Sequence, residues 1–190
     1  MKVKHISIAV DPEQTGNPVF GAPADLTAYI LEPVEGITDK KRPAVLLCPG
    51  GGYHKLSGRE DQPIAMKYLA AGFHVFVLHY SLVPDVFPRA LMELALSMKL
   101  IREHGNEWNV DVKRIAVSGF SAGGHLACCL GTVWNKEWLY KALEVKPEMI
   151  QPNGMILCYP VITSEEYCHK GSFECLMGTE ASKKDVELRR

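Results

Sequence analysis

Short apolar runs alternate with stretches whose apolar residues recur at helical spacing, and this alternation runs almost the whole length of the chain. Lys4 to Val10 and Leu26 to Leu31 read as two early strands, separated by a turn region holding Gly16, Asn17 and Pro18, and are expected to form an antiparallel entry to a sheet. Ala44 to Cys48, bounded by Pro43 and Pro49, and Val75 to His79 are fully or nearly apolar and short, as buried central strands are. Between them, Gln62 to Ala71 predicts a helix stopped by Gly72. Pro88 to His104 is the clearest helix: Pro stands at its start, Leu91, Leu94, Ala95, Met98 and Ile101 share one face, and Gly105 follows its end. Ile115 to Val117 predicts another buried strand, Ala122 to Gly131 a helix, and Met155 to Tyr159 a last strand closed by Pro160. A polar tail with weak helical character in its final residues runs on to Arg190. Strands alternating with helices, without repeat or linker, predict one α/β domain over residues 1–190.

Composition narrows the function. The 22 acidic and 21 basic residues nearly cancel, leaving a net charge of -1, so no electrostatic footprint for nucleic acid or an anionic membrane is expected. No run approaches the ~20 apolar residues of a spanning helix, and the first eight residues alternate like a strand rather than a signal peptide, so a soluble, cytoplasmic protein is expected. Six cysteines, at 48, 128, 129, 158, 168 and 175, lie mostly in apolar runs without metal-ligand spacing and read as reduced core thiols.

The chemistry is concentrated in Gly119-Phe120-Ser121-Ala122-Gly123, a G-x-S-x-G pattern directly after an apolar strand and at the opening of a helix. In that setting the pattern is a nucleophile elbow. The glycines are required because so sharp a turn leaves no room for a Cβ beside the serine. The helix N-terminus adds unpaired N–H groups and a partial positive charge of about 0.5, so the Ala122 N–H is a candidate donor to an oxyanion beside Ser121. A second glycine stretch, Pro49-Gly50-Gly51-Gly52-Tyr53, follows the strand ending at Cys48, where it could turn the Gly51 and Gly52 amides into the same cleft. A glycine triplet alone is as often a plain loop or a phosphate cradle, but the Lys-Ser/Thr pair of a Walker loop is absent.

These stretches, with His79-Tyr80-Ser81-Leu82, Asp111-Val112-Lys113-Arg114-Ile115 and Gly124-His125-Leu126-Ala127, resemble the α/β-hydrolase esterases of the hormone-sensitive-lipase-like group. The likeness is stronger to its small carbohydrate-esterase and acetylxylan-esterase-like members, from about Leu26 to Pro160. Pro49 departs from the histidine usual before the lipase glycines and fits the carbohydrate-esterase side. The resemblance implies a three-layer sandwich on a mostly parallel sheet, with Ser121 as nucleophile, Gly51, Gly52 and Ala122 as oxyanion donors, and Tyr53, His54, Tyr80, Phe120 and His125 as candidate pocket residues. It also implies an acid and a histidine after the seventh and eighth strands, whereas Met155 to Tyr159 counts as the sixth. The sheet is therefore expected to lack its last strands, and the triad partners are expected beyond residue 190. His54 and His125 are the internal substitutes to weigh, ahead of His5, His74, His79, His104 and His169; Asp61, Asp85 and Asp111 make poor triad acids by position.

The implied activity is removal of small acyl groups, acetyl above all, from an alcohol or carbohydrate through an acyl-enzyme, with a small-molecule ester as substrate and no metal or organic cofactor. A serine peptidase on the same scaffold and a non-catalytic ligand-binding module are the alternatives. The unpaired sheet edge at Met155 to Tyr159 makes a homo-oligomer another expectation.

Overall fold

Six strands form a single sheet in the computed structural model, which describes residues 1–34 and 40–178. They are β1 (Lys2–Ile8), β2 (Ala24–Ile30), β3 (Arg42–Cys48), β4 (His74–His79), β5 (Val110–Phe120) and β6 (Gly154–Cys158). Their order across the sheet is β1-β2-β4-β3-β5-β6. β1 with β2 and β2 with β4 are antiparallel, the entry expected from the sequence, and β4, β3, β5 and β6 run parallel. The helices are α1 (Pro12–Thr15), α2 (Gln62–Ala70), α3 (Arg89–Glu103), α4 (Ala122–Val133), α5 (Glu137–Ala142), α6 (Pro147–Ile150) and α7 (Lys170–Met177).

Layering follows from the apolar central strands, whose alternate side chains leave opposite faces. Val45, Leu47, Val75 and Val77 pack with Ala65 and Leu69 of α2. Leu46, Cys48, Phe76 and Leu78 pack into the larger core with Leu91, Met98 and Ile101 of α3 and Leu126 and Leu130 of α4. The result is helix, sheet, helix. Burial of each such aliphatic side chain contributes about 1.5–3 kcal/mol, and that is what presses α4, and with it the turn ahead of α4, onto the sheet.

Several local expectations shift. The turn region near Gly16 holds a short helix, α1, capped by Asp11 and Gln14 and ended by Gly16 in the left-handed conformation. β5 starts at Val110, well before Ile115, because Arg42 pairs with Val110 and Ala44 then pairs with Ile115. Asp111 caps the bulge that absorbs the extra residues, accepting from Lys113 N and Arg114 Nε. The stretch read as tail contains α7, docked by the Phe87 N–H donating to the Leu176 carbonyl at 2.7 Å. The weak helical character expected in the final residues falls outside the described residues.

A buried ionic network pins the first turn of α3. Arg89, 2% exposed, lies 2.6 Å from Asp85, donates from Nε to Glu93 at 3.0 Å, and reaches the carbonyls of Gly21 and Ala22. Glu93 is fully buried and its carboxyl sits above the usual range, because burial outweighs the bonds from Ser81 and the charge of Arg89. At the other side of the sheet β6 is an edge strand among the described residues, with Met155 45% and Ile156 38% exposed.

Candidate active site

Parallel strands deliver their C-terminal ends to one side of a sheet, and the crevice outside those ends is where open α/β sheets bind ligands. Here three adjacent strands do so together. β3, β5 and β6 are neighbours in register, with Cys48 opposite Gly119 and Phe120 opposite Cys158. The residues that follow, Pro49 to Gly52, Ser121 and Tyr159, therefore emerge side by side.

Ser121 occupies the turn from β5 into α4 at φ 51°, ψ -118°, a backbone region L-residues rarely adopt. What holds it there is crowding and two main-chain bonds. A Cβ on Gly119 would overlap the Gly123 carbonyl, and one on Gly123 would overlap the carbonyls of Cys48 and Pro49, so only glycine fits either side of the serine. The Ser121 N–H donates to Cys158 O at 3.0 Å, and the Ser121 carbonyl accepts from His125 N at 3.0 Å and Val161 N at 3.2 Å. Positive φ clusters around it: Gly51 (136°) and Gly52 (68°) adopt it without penalty as glycines, whereas Tyr53 and Tyr159 share it with Ser121 as strain. Backbone strain of this kind costs about 1–3 kcal/mol per residue and persists where surrounding packing over-determines it.

The glycine loop lies against the elbow. A Cβ on Gly50 would come within 2.6 Å of the Phe120 carbonyl and 3.1 Å of Ser121 Cβ. The Gly50 N–H donates to Glu60 Oε2 at 2.9 Å, and the Gly51 and Gly50 carbonyls accept from the loop's own amides at His54, Lys55 and Ser57. Among the described residues the amides of Gly51 and Gly52 donate to no protein acceptor, and Ala122, as the first residue of α4, has no acceptor one turn back in the helix. An open cleft of about 800 Å³ joins these parts, lined among others by Gly51, Gly52, His54, Ser121, Tyr159 and His169.

The remaining residues singled out from the sequence are distributed differently. His54 lines the cleft and is exposed. Tyr53 and Tyr80 are buried beneath the glycine loop, the hydroxyl of Tyr80 donating to Pro49 O at 2.7 Å and that of Tyr53 lying 2.8 Å from His125 Nδ1. Phe120 packs its ring edge against Tyr159. His125 sits on the far side of α4, beside Cys129 and Phe173, facing a separate apolar pocket of about 350 Å³; burial lowers its pKa to about 4. Among the described residues no imidazole is hydrogen-bonded to the Ser121 hydroxyl. The three aspartates are engaged elsewhere: Asp61 with His79 at 2.6 Å, Asp85 with Arg89, Asp111 with Arg114. The Asp61 bond is also the main reason that His79 titrates above its ordinary value.

His169, ranked from the sequence below His54 and His125, lines the cleft. It caps α7, its Nδ1 2.8 Å from the hydroxyl of buried Ser172, and it reaches the cleft only because α7 folds back against Phe87. No local pattern could have signalled that docking. Among the described residues no group of three His, Cys, Asp or Glu side chains converges as metal ligands would, and no helix is long and apolar enough to cross a membrane.

Comparison with known proteins bears on what such a cleft does. The profile of the BD-FAE family matches residues 33–158. Endo-1,4-beta-xylanase B of Butyrivibrio fibrisolvens is 33% identical over 177 residues, which are 89% of this chain and 26% of that protein. An acetylxylan esterase of Xylanibacter ruminicola is 30% identical over 142 residues, 74% of this chain and 27% of that protein. The chain thus spans about a quarter of the length of these curated relatives. Among solved structures, the acetyl ester-xyloside bifunctional hydrolase of Caldicellulosiruptor lactoaceticus superposes with a TM-score of 0.78 at 29% identity, covering 98% of this chain and 67% of that one.

Proposed function

Since the chain belongs to the BD-FAE family and has the α/β-hydrolase fold, we propose that it carries the nucleophile and oxyanion donors of a serine carboxylic ester hydrolase that removes small acyl groups, acetyl above all, from an alcohol or carbohydrate. The observation that carries this reading is Ser121, strained at the N-terminus of α4, lining one open cleft with Gly51 and Gly52, whose amides donate to no protein acceptor among the described residues. The relatives whose names specify acetylxylan or acetyl esters supply the substrate class.

In the proposed reaction Ser121 Oγ attacks the acyl carbon as its proton passes to a histidine base. The carbonyl oxygen becomes an alkoxide received by the N–H groups of Gly51, Gly52 and Ala122, and losing one such donor typically costs about 10²–10³ in kcat. Collapse expels the alcohol with the proton returned to it, and water repeats the sequence on the acyl-enzyme. We assign the base and its aspartate to residues outside these 190. Support comes from the described imidazoles, none of which engages Ser121, and from the family resemblance. Serine acyl transfer requires no cofactor, and six free thiols suit a reducing cytoplasm.

The test is hydrolysis of p-nitrophenyl acetate by the complete natural reading frame that contains this chain, by the 190 residues alone, and by the Ser121→Ala form of each. The expected result is Ser121-dependent turnover by the complete protein and little by the 190 residues. Ser121-dependent turnover by the 190 residues at the full rate would transfer the base to an internal histidine such as His54 or His169. A peptidase would cleave acyl-peptide amides in preference, and a non-catalytic module would leave Ser121 unlabelled by an organophosphate.

A further inference from the structure

Glu60 is 7% exposed, on the 3-10 turn Gly58–Glu60, and has no ion-pair partner among the described residues. A carboxyl group removed from water is costly unless its oxygens are hydrogen-bonded. Both oxygens are bonded, and to two different walls of the Ser121 cleft. Oε2 accepts the Gly50 N–H at 2.9 Å, and Oε1 accepts the Tyr159 hydroxyl at 2.8 Å.

These bonds close a ring around the nucleophile. Gly50 lies so close to the elbow that a Cβ on it would meet both Ser121 Cβ and Glu60 Oε2. Ser121 donates its N–H to Cys158, the residue before Tyr159, and Tyr159 returns through its hydroxyl to Glu60. Glu60 takes up the Gly50 amide, while the amides of Gly51 and Gly52, two residues that line the cleft, donate to no protein acceptor among the described residues. Tyr159, 65% exposed with its ring edge on Phe120, is held by the same carboxyl as a fixed wall beside Ser121.

We propose that Glu60 is a positioning residue of the hydrolase, holding the oxyanion loop through Gly50 and the cleft wall through Tyr159 in register with Ser121. This rests on the esterase reading above. It acts through the loop and touches no reacting atom, so its removal affects the transition state more than ground-state binding.

In the complete protein, Glu60→Gln keeps the shape but leaves one acceptor oxygen for two donors. Its kcat on p-nitrophenyl acetate is expected to fall about tenfold to a hundredfold, the scale of a misplaced catalytic group, with KM within about threefold. Labelling of Ser121 by a fluorophosphonate is expected to slow in parallel while still reaching one adduct per chain. Amide hydrogen exchange in the peptide spanning residues 50–54 is expected to accelerate, with the α3 and β4 peptides unchanged. Tyr159→Phe, which removes only one donor, is expected to shift all three readings in the same direction by less, and it carries the test if Glu60→Gln does not fold. A folded Glu60→Gln protein with kcat and loop exchange within about twofold of wild type overturns the proposal, as does acceleration spread evenly over all peptides. If wild type itself neither hydrolyses the ester nor labels at Ser121, the esterase reading fails, and the exchange measurement alone then decides whether Glu60 holds the loop.

Discussion

The hydroxyl of Tyr53 lies 2.8 Å from Nδ1 of His125, tying the residue after the glycine triplet to the helix that follows Ser121. The bond is made by an imidazole with a pKa lowered to about 4 by burial. Tyr53, buried more completely than His125, is held well above the ordinary phenol value by burial.

That depressed value makes His125 a source of acid sensitivity. Its folded pKa lies below the unfolded value of about 6.5, so the unfolded chain takes the proton first. Stability is therefore intact above about pH 6.5 and falls as pH drops from there toward 4, by on the order of 3 kcal/mol at the lower end. Urea unfolding of wild type and His125→Gln at pH 7.5, 5.5 and 4.5 checks this. The variant is expected to start less stable and to lose less between the first and last pH.

The positive φ of Ser121 is expected to cost stability that the reaction requires. Replacing it by glycine, which adopts φ 51° without a Cβ penalty, is expected to raise stability by about 1 kcal/mol and to abolish covalent labelling. Thermal melting of Ser121→Gly beside Ser121→Ala separates relief of strain from loss of the hydroxyl, because only the glycine form relieves the backbone.

Arg89 presents the opposite case, a charge that cannot be removed alone. Arg89→Met leaves Glu93, fully buried, and Asp85 without their shared cation. Breaking a buried pair in this way typically costs about 3–5 kcal/mol. Chemical denaturation is expected to show a loss of that size, with a smaller one for Arg89→Met combined with Glu93→Gln, since the second change removes the stranded carboxyl.

The central strands, the two long helices and the elbow were legible because each is encoded locally: Ala44 to Cys48 by an unbroken apolar run, α3 by its apolar face and its Gly105 stop, Ser121 by glycines that a sharp turn requires. What escaped was set by contacts distant in sequence. β5 reaches back to Val110 because Arg42 pairs there. His125 follows the elbow within four residues, yet helical geometry turns its ring to Cys129 and away from the cleft. Glu60 and Tyr159, 99 residues apart, meet only once β3 and β6 flank β5.

Trapping the acyl-enzyme decides whether Ser121 is the nucleophile. The complete protein is mixed with p-nitrophenyl acetate, quenched in acid within the first turnovers, digested and mapped by mass spectrometry. One acetyl group is expected, on the peptide containing Ser121 and absent from Ser121→Ala. Ester turnover that persists in Ser121→Ala, or an acetyl group carried by another residue, would contradict that expectation.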